Sequence, residues 1–408
     1  ALKDQKKLEE ATQSYNKALS IKPDYAQAYN NLGLILQDQG KLDEAIEAYT
    51  DAISIKPDYA EAYLNIGASL QEQGKLIEAI DAYTKAISIR FDYAKAFENY
   101  LCLITQLDNT DLVVDRLLEI PNDQNPKLKV RPKFQIYSAI NAFIRTDINL
   151  TKRHIKNFEN CDAKLFDTLH SIDKLFCSAY GRFLTRLIEK PVNNDTIFKT
   201  DKVIYHLGES HCLSYAHKLI NIQGTDHTIA PRITFGAKAY HFFIEKDNAF
   251  KAITKANFHS PPNNSKVFIS FGEIDCRPNE GFISAAKKHK KPIEDLVSDT
   301  VRGYVDWFAE LNQNKNHSLF FLSVPSPVYD EKYGSEKNQE VLNTIKLFNS
   351  TLQQIVVEYN FNIIDVYKFT VGNDGFSNDL FHLDNHHLSY SAIPEIERQL
   401  NAENKVFC

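Results

Sequence analysis

The chain has 408 residues, 43% apolar and 25% charged, which is the make-up of a globular protein of two or three domains. Its formal net charge of −6 gives no electrostatic reason to bind nucleic acid, and no uninterrupted apolar run of about 18 residues offers a membrane span. The cysteines (Cys102, Cys161, Cys177, Cys212, Cys276 and Cys408) are scattered, without metal-ligand spacing or a dense disulfide framework. They read as reduced thiols of a cytoplasmic protein, and neither a metal nor a cofactor is expected.

The N-terminal part repeats itself. Asp24-Tyr25-Ala26 returns as Asp58-Tyr59-Ala60 and Asp92-Tyr93-Ala94, and Glu10-Ala11 returns as Glu44-Ala45 and Glu78-Ala79, always at a 34-residue period. Tyr15, Tyr49 and Tyr83 keep the same register; Pro23 and Pro57 close two units, and Phe91 takes the third proline position. A 34-residue unit of two amphipathic helices with a closing proline is similar to the tetratricopeptide repeat. The resemblance implies an α-solenoid over residues 1–108, with a protein or peptide partner on its concave face. Asn31, Asn65 and Asn99 also recur in register. They resemble the asparagine ladder with which the repeats of O-linked N-acetylglucosamine transferase grip a peptide backbone; the alternative is that Asn is simply common at this repeat position. Asp4-Gln5-Lys6-Lys7 aligns with Asp38-Gln39-Gly40-Lys41, so the array opens in mid-repeat. More repeats upstream are expected, with a frayed first helix as the alternative.

Residues 109–198 have helical spacing at Leu112–Leu118, Lys133–Phe143, Ile155–Phe158 and Phe166–Leu187. They read as a helical connector that caps the solenoid, with loops at 123–126 and 190–194 and no expected chemistry.

From residue 199 to 408 the pattern changes. Short apolar runs at 203–207, 267–271, 319–322 and 363–366 alternate with long helical patterns at Ile293–Leu311 and Val341–Tyr359. That alternation predicts a three-layer α/β domain with a mostly parallel sheet, whose ligands bind beyond the carboxyl ends of the strands. Gly208-Glu209-Ser210-His211 follows the first strand and leads into an expected helix over Cys212–Ile220. Gly272-Glu273-Ile274-Asp275-Cys276-Arg277 follows a second strand, and Asp384-Asn385-His386-His387-Leu388-Ser389 precedes the last helix. A serine hydroxyl is a poor nucleophile until an imidazole takes its proton, and the imidazole needs a carboxylate to fix its tautomer. Ser210, His387 and Asp384 supply those three groups. The alternative for Ser210 is a plain helix cap, and a one-residue shift exchanges His386 for His387.

The order of these blocks resembles the SGNH (GDSL-like) hydrolases, with Gly208-Glu209-Ser210 in place of Gly-Asp-Ser and Asp384 with His387 as Asp-x-x-His. The form of the last block is similar to polysaccharide O-acyltransferases and esterases. The resemblance implies hydrolysis or transfer of an acyl ester, carbohydrate-linked, with Ser210 as nucleophile, His387 as base and Asp384 as its orienting carboxylate. It also implies oxyanion or substrate contacts from Gly236 and Gly272, with Glu209, His211 and Asp275 as possible pocket residues. Where the family carries an oxyanion asparagine this chain has Ile274, and Arg277 is the expected replacement. An inactive ligand-binding module on a repeat scaffold is the rival reading. As imidazoles and a carboxylate, His211, His241, Asp275 and His387 are the alternative metal set, but no tight ligand spacing supports it. Lys287-Lys288-His289-Lys290-Lys291 is a basic run, read as a solvated loop or helix end, with an anion contact as the alternative.

Overall fold

The computed structural model describes residues 2–90, 92–107, 131–189 and 200–402; the expected helix at 112–118 and the loops at 123–126 and 190–194 lie outside these. Six helices open the chain: Leu2–Ile21, Ala26–Asp38, Leu42–Ile55, Ala60–Glu72, Leu76–Ile89 and Ala94–Gln106. They pair as the 34-residue register requires. Within a pair, the backbone of the leading helix comes so close that a Cβ on Gly33 would sit 2.4 Å from the Tyr49 ring, and one on Gly67 would sit 2.5 Å from Tyr83. Those tyrosines are fully buried, so the glycine–tyrosine contact fixes how tightly each pair closes. The turns repeat too: Lys22 over Tyr25, Lys56 over Tyr59 and Arg90 over Tyr93 stack cation on ring at 5.3, 5.0 and 3.3 Å.

The three repeated asparagines face inward partners. Asn31 donates to the Tyr15 hydroxyl at 3.2 Å and Asn65 to the Asn30 side-chain Oδ1 at 3.0 Å, while Asn99 is hydrogen-bonded to the Tyr83 side chain. All three remain half-buried.

Four further helices follow: Pro132–Ile144, Ile148–Glu159, Ala163–Asp167 and Ser171–Glu189. The continuous helix expected over Phe166–Leu187 is broken at residues 168–170, and Asp162 caps the short piece by accepting from Lys164 N–H at 2.9 Å. Ser171–Glu189 buries Cys177, Tyr180, Phe183, Leu184 and Leu187 on one face.

The rest of the chain forms a six-stranded sheet: β1 Val203–Gly208, β2 Leu219–Ile222, β3 Thr225–Ile233, β4 Lys266–Ser270, β5 Ser318–Leu322 and β6 Asn362–Ile364. The order is β2-β3-β1-β4-β5-β6; β2 runs antiparallel to β3 and every other pair is parallel. The sheet is therefore mixed. The hairpin at its edge overturns the helix expected over Cys212–Ile220: only His211–Ser214 is helical, and the chain re-enters the sheet at Leu219. The physical reason is the turn. Gln223 and Gly224 have φ of 51° and 75°, the paired positive values of a two-residue hairpin, and Gly224 tolerates its value without strain.

Side chains alternate across the sheet. Val267 and Ile269 of β4, with Leu319 and Phe321 of β5, pack under the helices Ile293–Asn312 and Gly334–Glu358. Phe268, Phe320 and Leu322 face the other way, toward Ile393, Ile396 and Leu400 of the last helix, Ile393–Ala402. Helices thus cover both faces, and the free carboxyl edge of the sheet is where side chains can converge. The repeats pack onto this unit: one core joins Leu64, Phe97, Tyr100 and Leu103 to Phe134 and Tyr137 and to Ile253 of the helix Ala249–His259.

Candidate active site

Ser210 stands at the end of β1, where the helix His211–Ser214 begins. It occupies the N-cap position, yet its side chain caps nothing. The hydroxyl, in a residue only 3% exposed, lies 2.8 Å from His387 Nε2, across 177 residues of sequence. On the far side of the ring, Nδ1 lies 2.9 and 3.0 Å from the two Asp384 carboxylate oxygens. Asp384 Oδ1 also accepts the backbone N–H groups of His386 and His387, at 2.9 and 2.8 Å. Burial alone would raise the Asp384 carboxyl; the His387 contact and these amides outweigh it and hold the group well below its ordinary value. A carboxylate that stays ionised and accepts from Nδ1 leaves Nε2 free to take a proton from Ser210.

The neighbouring histidine faces elsewhere. His386 Nδ1 sits 3.0 Å from Glu273 Oε1, and its backbone carbonyl accepts from His211 Nε2 at 2.7 Å. Burial lowers the His386 ring, but the Glu273 carboxylate outweighs it, so the ring is raised above its ordinary value. Glu273 itself is held well below its ordinary value, since Arg277 and His386 overcome its burial. His211 is lowered by burial and then by His387, whose ring centre is 5.3 Å away.

Arg277 is bound to carboxylates. Its Nε reaches both Glu273 oxygens at 3.1 and 3.0 Å, one terminal nitrogen reaches Glu273 at 2.7 Å, and the other reaches Glu280 at 3.2 Å. Two carboxylates within four residues absorb the donors that the sequence suggested for Ser210. Asp275 also turns away from the serine: it accepts the Ala239 and Tyr240 amides at 2.7 and 3.1 Å, and burial pushes it up to about 6. Gly272 has φ of 122°, and a Cβ there would lie 2.3 Å from the Phe348 ring, so a tight turn accounts for this glycine. Gly236 follows β3 with φ of 68°, and no described hydrogen bond ties it to the triad. Ile274 is buried and carries no donor. Among the described residues no group of three or more His, Cys, Asp and Glu side chains is arranged to hold a metal. His241 stacks on Phe250 and accepts the Lys238 N–H, apart from the serine.

The connector, from which no chemistry was expected, supplies two side chains here. Phe183 stacks on His387 with ring centres 3.9 Å apart and planes 19° apart. The Tyr180 hydroxyl donates to Glu209 Oε1 at 2.9 Å, and the other Glu209 oxygen accepts from the Ser210 amide and competes with His387 Nε2 for the single Ser210 hydroxyl proton. The last repeat helix reaches in as well: Gln106 Oε1 accepts the Phe235 amide at 2.8 Å, one residue before Gly236. In sequence Tyr180 and Phe183 are one stripe of a helix, and helical periodicity cannot separate a core position from a site position.

The N-terminal residues match models of the tetratricopeptide repeat, described as TPR repeat over 1–40 and 35–74 and as tetratricopeptide repeat over 60–93. Those residues are tetratricopeptide repeats. No curated protein matches the chain. Among solved structures, MamA is 18% identical with a TM-score of 0.31, over 43% of this chain and 94% of its own. The lipase/acylhydrolase from Enterococcus faecalis is 16% identical with a TM-score of 0.33, over 50% of this chain and 96% of its own. A putative platelet activating factor from Streptococcus pneumonia is 15% identical with a TM-score of 0.35, over 55% of this chain and 91% of its own. Likenesses this distant leave function to the site itself. No helix among the described residues is long and apolar enough to cross a membrane.

Proposed function

We propose that the chain is a serine-dependent acyl-ester hydrolase or acyltransferase of SGNH type, over residues 199–408, with repeats over 1–108 that recruit a protein partner. The observation that carries this reading is the alignment of Ser210 Oγ, His387 and Asp384 in one hydrogen-bonded line. His387 takes the Ser210 proton as Oγ attacks the ester carbonyl carbon. The carbonyl electron pair moves onto oxygen, and then returns as the bond to the leaving alkoxide breaks. His387 gives its proton to that alkoxide, leaving an acyl-serine. Water, for hydrolysis, or a sugar hydroxyl, for transfer, repeats the cycle and frees Ser210. An acylated carbohydrate is the substrate that the motif resemblance suggests.

The test is labelling with a fluorophosphonate and peptide mapping by mass spectrometry. Ser210 should carry the label, and Ser210→Ala should remove nearly all turnover of an activated acyl ester. Because the groups act as a unit, adding His387→Ala to that variant should cost little more. The rival reading, a binding module, is favoured by Ile274, which leaves the family's third oxyanion donor missing. An unlabelled Ser210 with intact fold would decide for it.

A further inference from the structure

Resting on that reading of Ser210, we propose that the Tyr180 hydroxyl is a catalytic oxyanion donor, supplying what Ile274 cannot. Acyl transfer needs fixed donors aimed at the oxygen on which charge develops, and a tyrosine O–H serves as well as an amide. Two contacts, both made through the Glu209 carboxylate, place Tyr180 there. It donates to Glu209 Oε1, while the other oxygen of the same carboxylate accepts the Ser210 N–H. An anion is therefore already held between a backbone amide and a phenol hydroxyl beside the nucleophile. The Glu209 carboxylate stands in for the oxyanion, and the Ser210 amide is the donor such a site uses. When substrate arrives, its carbonyl oxygen takes this place and the carboxylate moves out.

The ring is held for this task. Tyr180 is buried, and its hydrogen bond to Glu209 fixes where the hydroxyl points. Burial, and then the Glu209 carboxylate, push the phenol well above its ordinary value, so it remains an O–H donor wherever the triad works. In the step itself Tyr180 keeps its proton: Ser210 Oγ bonds to the carbonyl carbon, the Ser210 proton passes to His387, and the displaced pair on oxygen is stabilised by the Ser210 N–H and the Tyr180 O–H.

The experiment compares wild type, Tyr180→Phe, Phe176→Leu and Ser210→Ala on a p-nitrophenyl acyl ester, with fluorophosphonate labelling rates and thermal unfolding on the same samples. Tyr180→Phe removes one oxygen and keeps the ring. It should lower kcat by a factor of about 10²–10³, leave KM within about threefold, and slow labelling of Ser210 in parallel. Phe176→Leu disturbs the same cluster without touching the hydroxyl and should keep most of kcat. Full activity in Tyr180→Phe beside an inactive Ser210→Ala overturns the Tyr180 assignment alone. An equal loss in Phe176→Leu overturns it too, since packing rather than the hydroxyl would then be at work. Absence of both turnover and label in wild type overturns the esterase reading and the role of Tyr180 with it.

Discussion

His386 and His387 are adjacent, chemically identical and differently employed. One ring meets Ser210 and Asp384; the other meets Glu273, and the difference is set by a loop in which Leu383 N–H bonds back to the His387 carbonyl at 2.7 Å. The two neighbours give the protein a pH-dependent contact next to its triad. The raised His386 ring is favoured in its charged form in the fold, so its contribution to stability is complete below its unfolded value of about 6.5 and is lost as pH rises through the folded value above that. Glu273, held low, remains ionised throughout that window. His386→Ala should therefore be less stable than wild type in mildly acid solution, and the gap between their thermal midpoints should narrow toward pH 9. A gap that widens as pH rises would reverse the sign and remove the ion pair as its cause.

Elements meet at the site from all parts of the chain. The helix Ser171–Glu189 places Phe183 flat against the His387 ring, and Arg186 of the same helix donates to the Leu383 carbonyl at 2.9 Å in the loop that carries Asp384. Truncating Phe183 to Ala opens a buried cavity and should cost about 3–5 kcal/mol in urea unfolding. Turnover should fall as well, because the imidazole loses the surface that fixes its plane; a variant destabilised to that extent with unchanged kcat would show the stacking to be structural only. The last repeat helix has a comparable hold. Gln106 is 4% exposed, and Gln106→Leu leaves the part-buried Phe235 N–H without its acceptor, a loss of about 1 kcal/mol. Gln106→Glu keeps an acceptor oxygen and should recover part of that loss. Amide hydrogen exchange at Phe235 reads the same contact directly: it should speed up in the Leu variant and change less in the Glu variant.

At the scale of the molecule, the repeats divide into an outer and an inner part. Leu19, Leu32, Ala45 and Tyr49 form one core, whereas Leu64, Tyr83, Phe97 and Tyr100 share theirs with the connector and with Ile253 beside the sheet. In an array each unit is stabilised by its neighbours, so the unit with fewer shared contacts opens first. The single tryptophan, Trp307, packs on Phe242 and Phe308 under the sheet and reports on that unit alone. Far-UV helical signal should begin to fall at lower urea than Trp307 fluorescence, with the excess loss belonging to helices in the first 55 residues. Coincident transitions would show that the whole chain unfolds as one unit.

Local and periodic features are legible in the residues alone. A 34-residue register written in alanines, glycines and tyrosines gave the paired helices, because each unit buries the same face against its neighbour. Short apolar runs followed by Gly208 and by Gly272 marked β1 and β4, because a strand buried on both faces has few other sequence solutions. The blocks around Ser210 and Asp384–His387 could be singled out because nucleophile, base and carboxylate are chemically distinct residues. Which of these groups meet depends on the assembled fold. Arg277 had suitable chemistry for Ser210 but is claimed by Glu273 and Glu280, nearer in the chain. Tyr180, Phe183 and Gln106 looked like helix filler, since an apolar stripe has the same 3.6-residue period whether it faces core or site. The hairpin at Gln223–Gly224 was hidden by four-residue alternation too short to distinguish from a helix end. Contact across 177 residues depends on how elements pack, and packing is a property of the assembled surfaces rather than of any window of sequence.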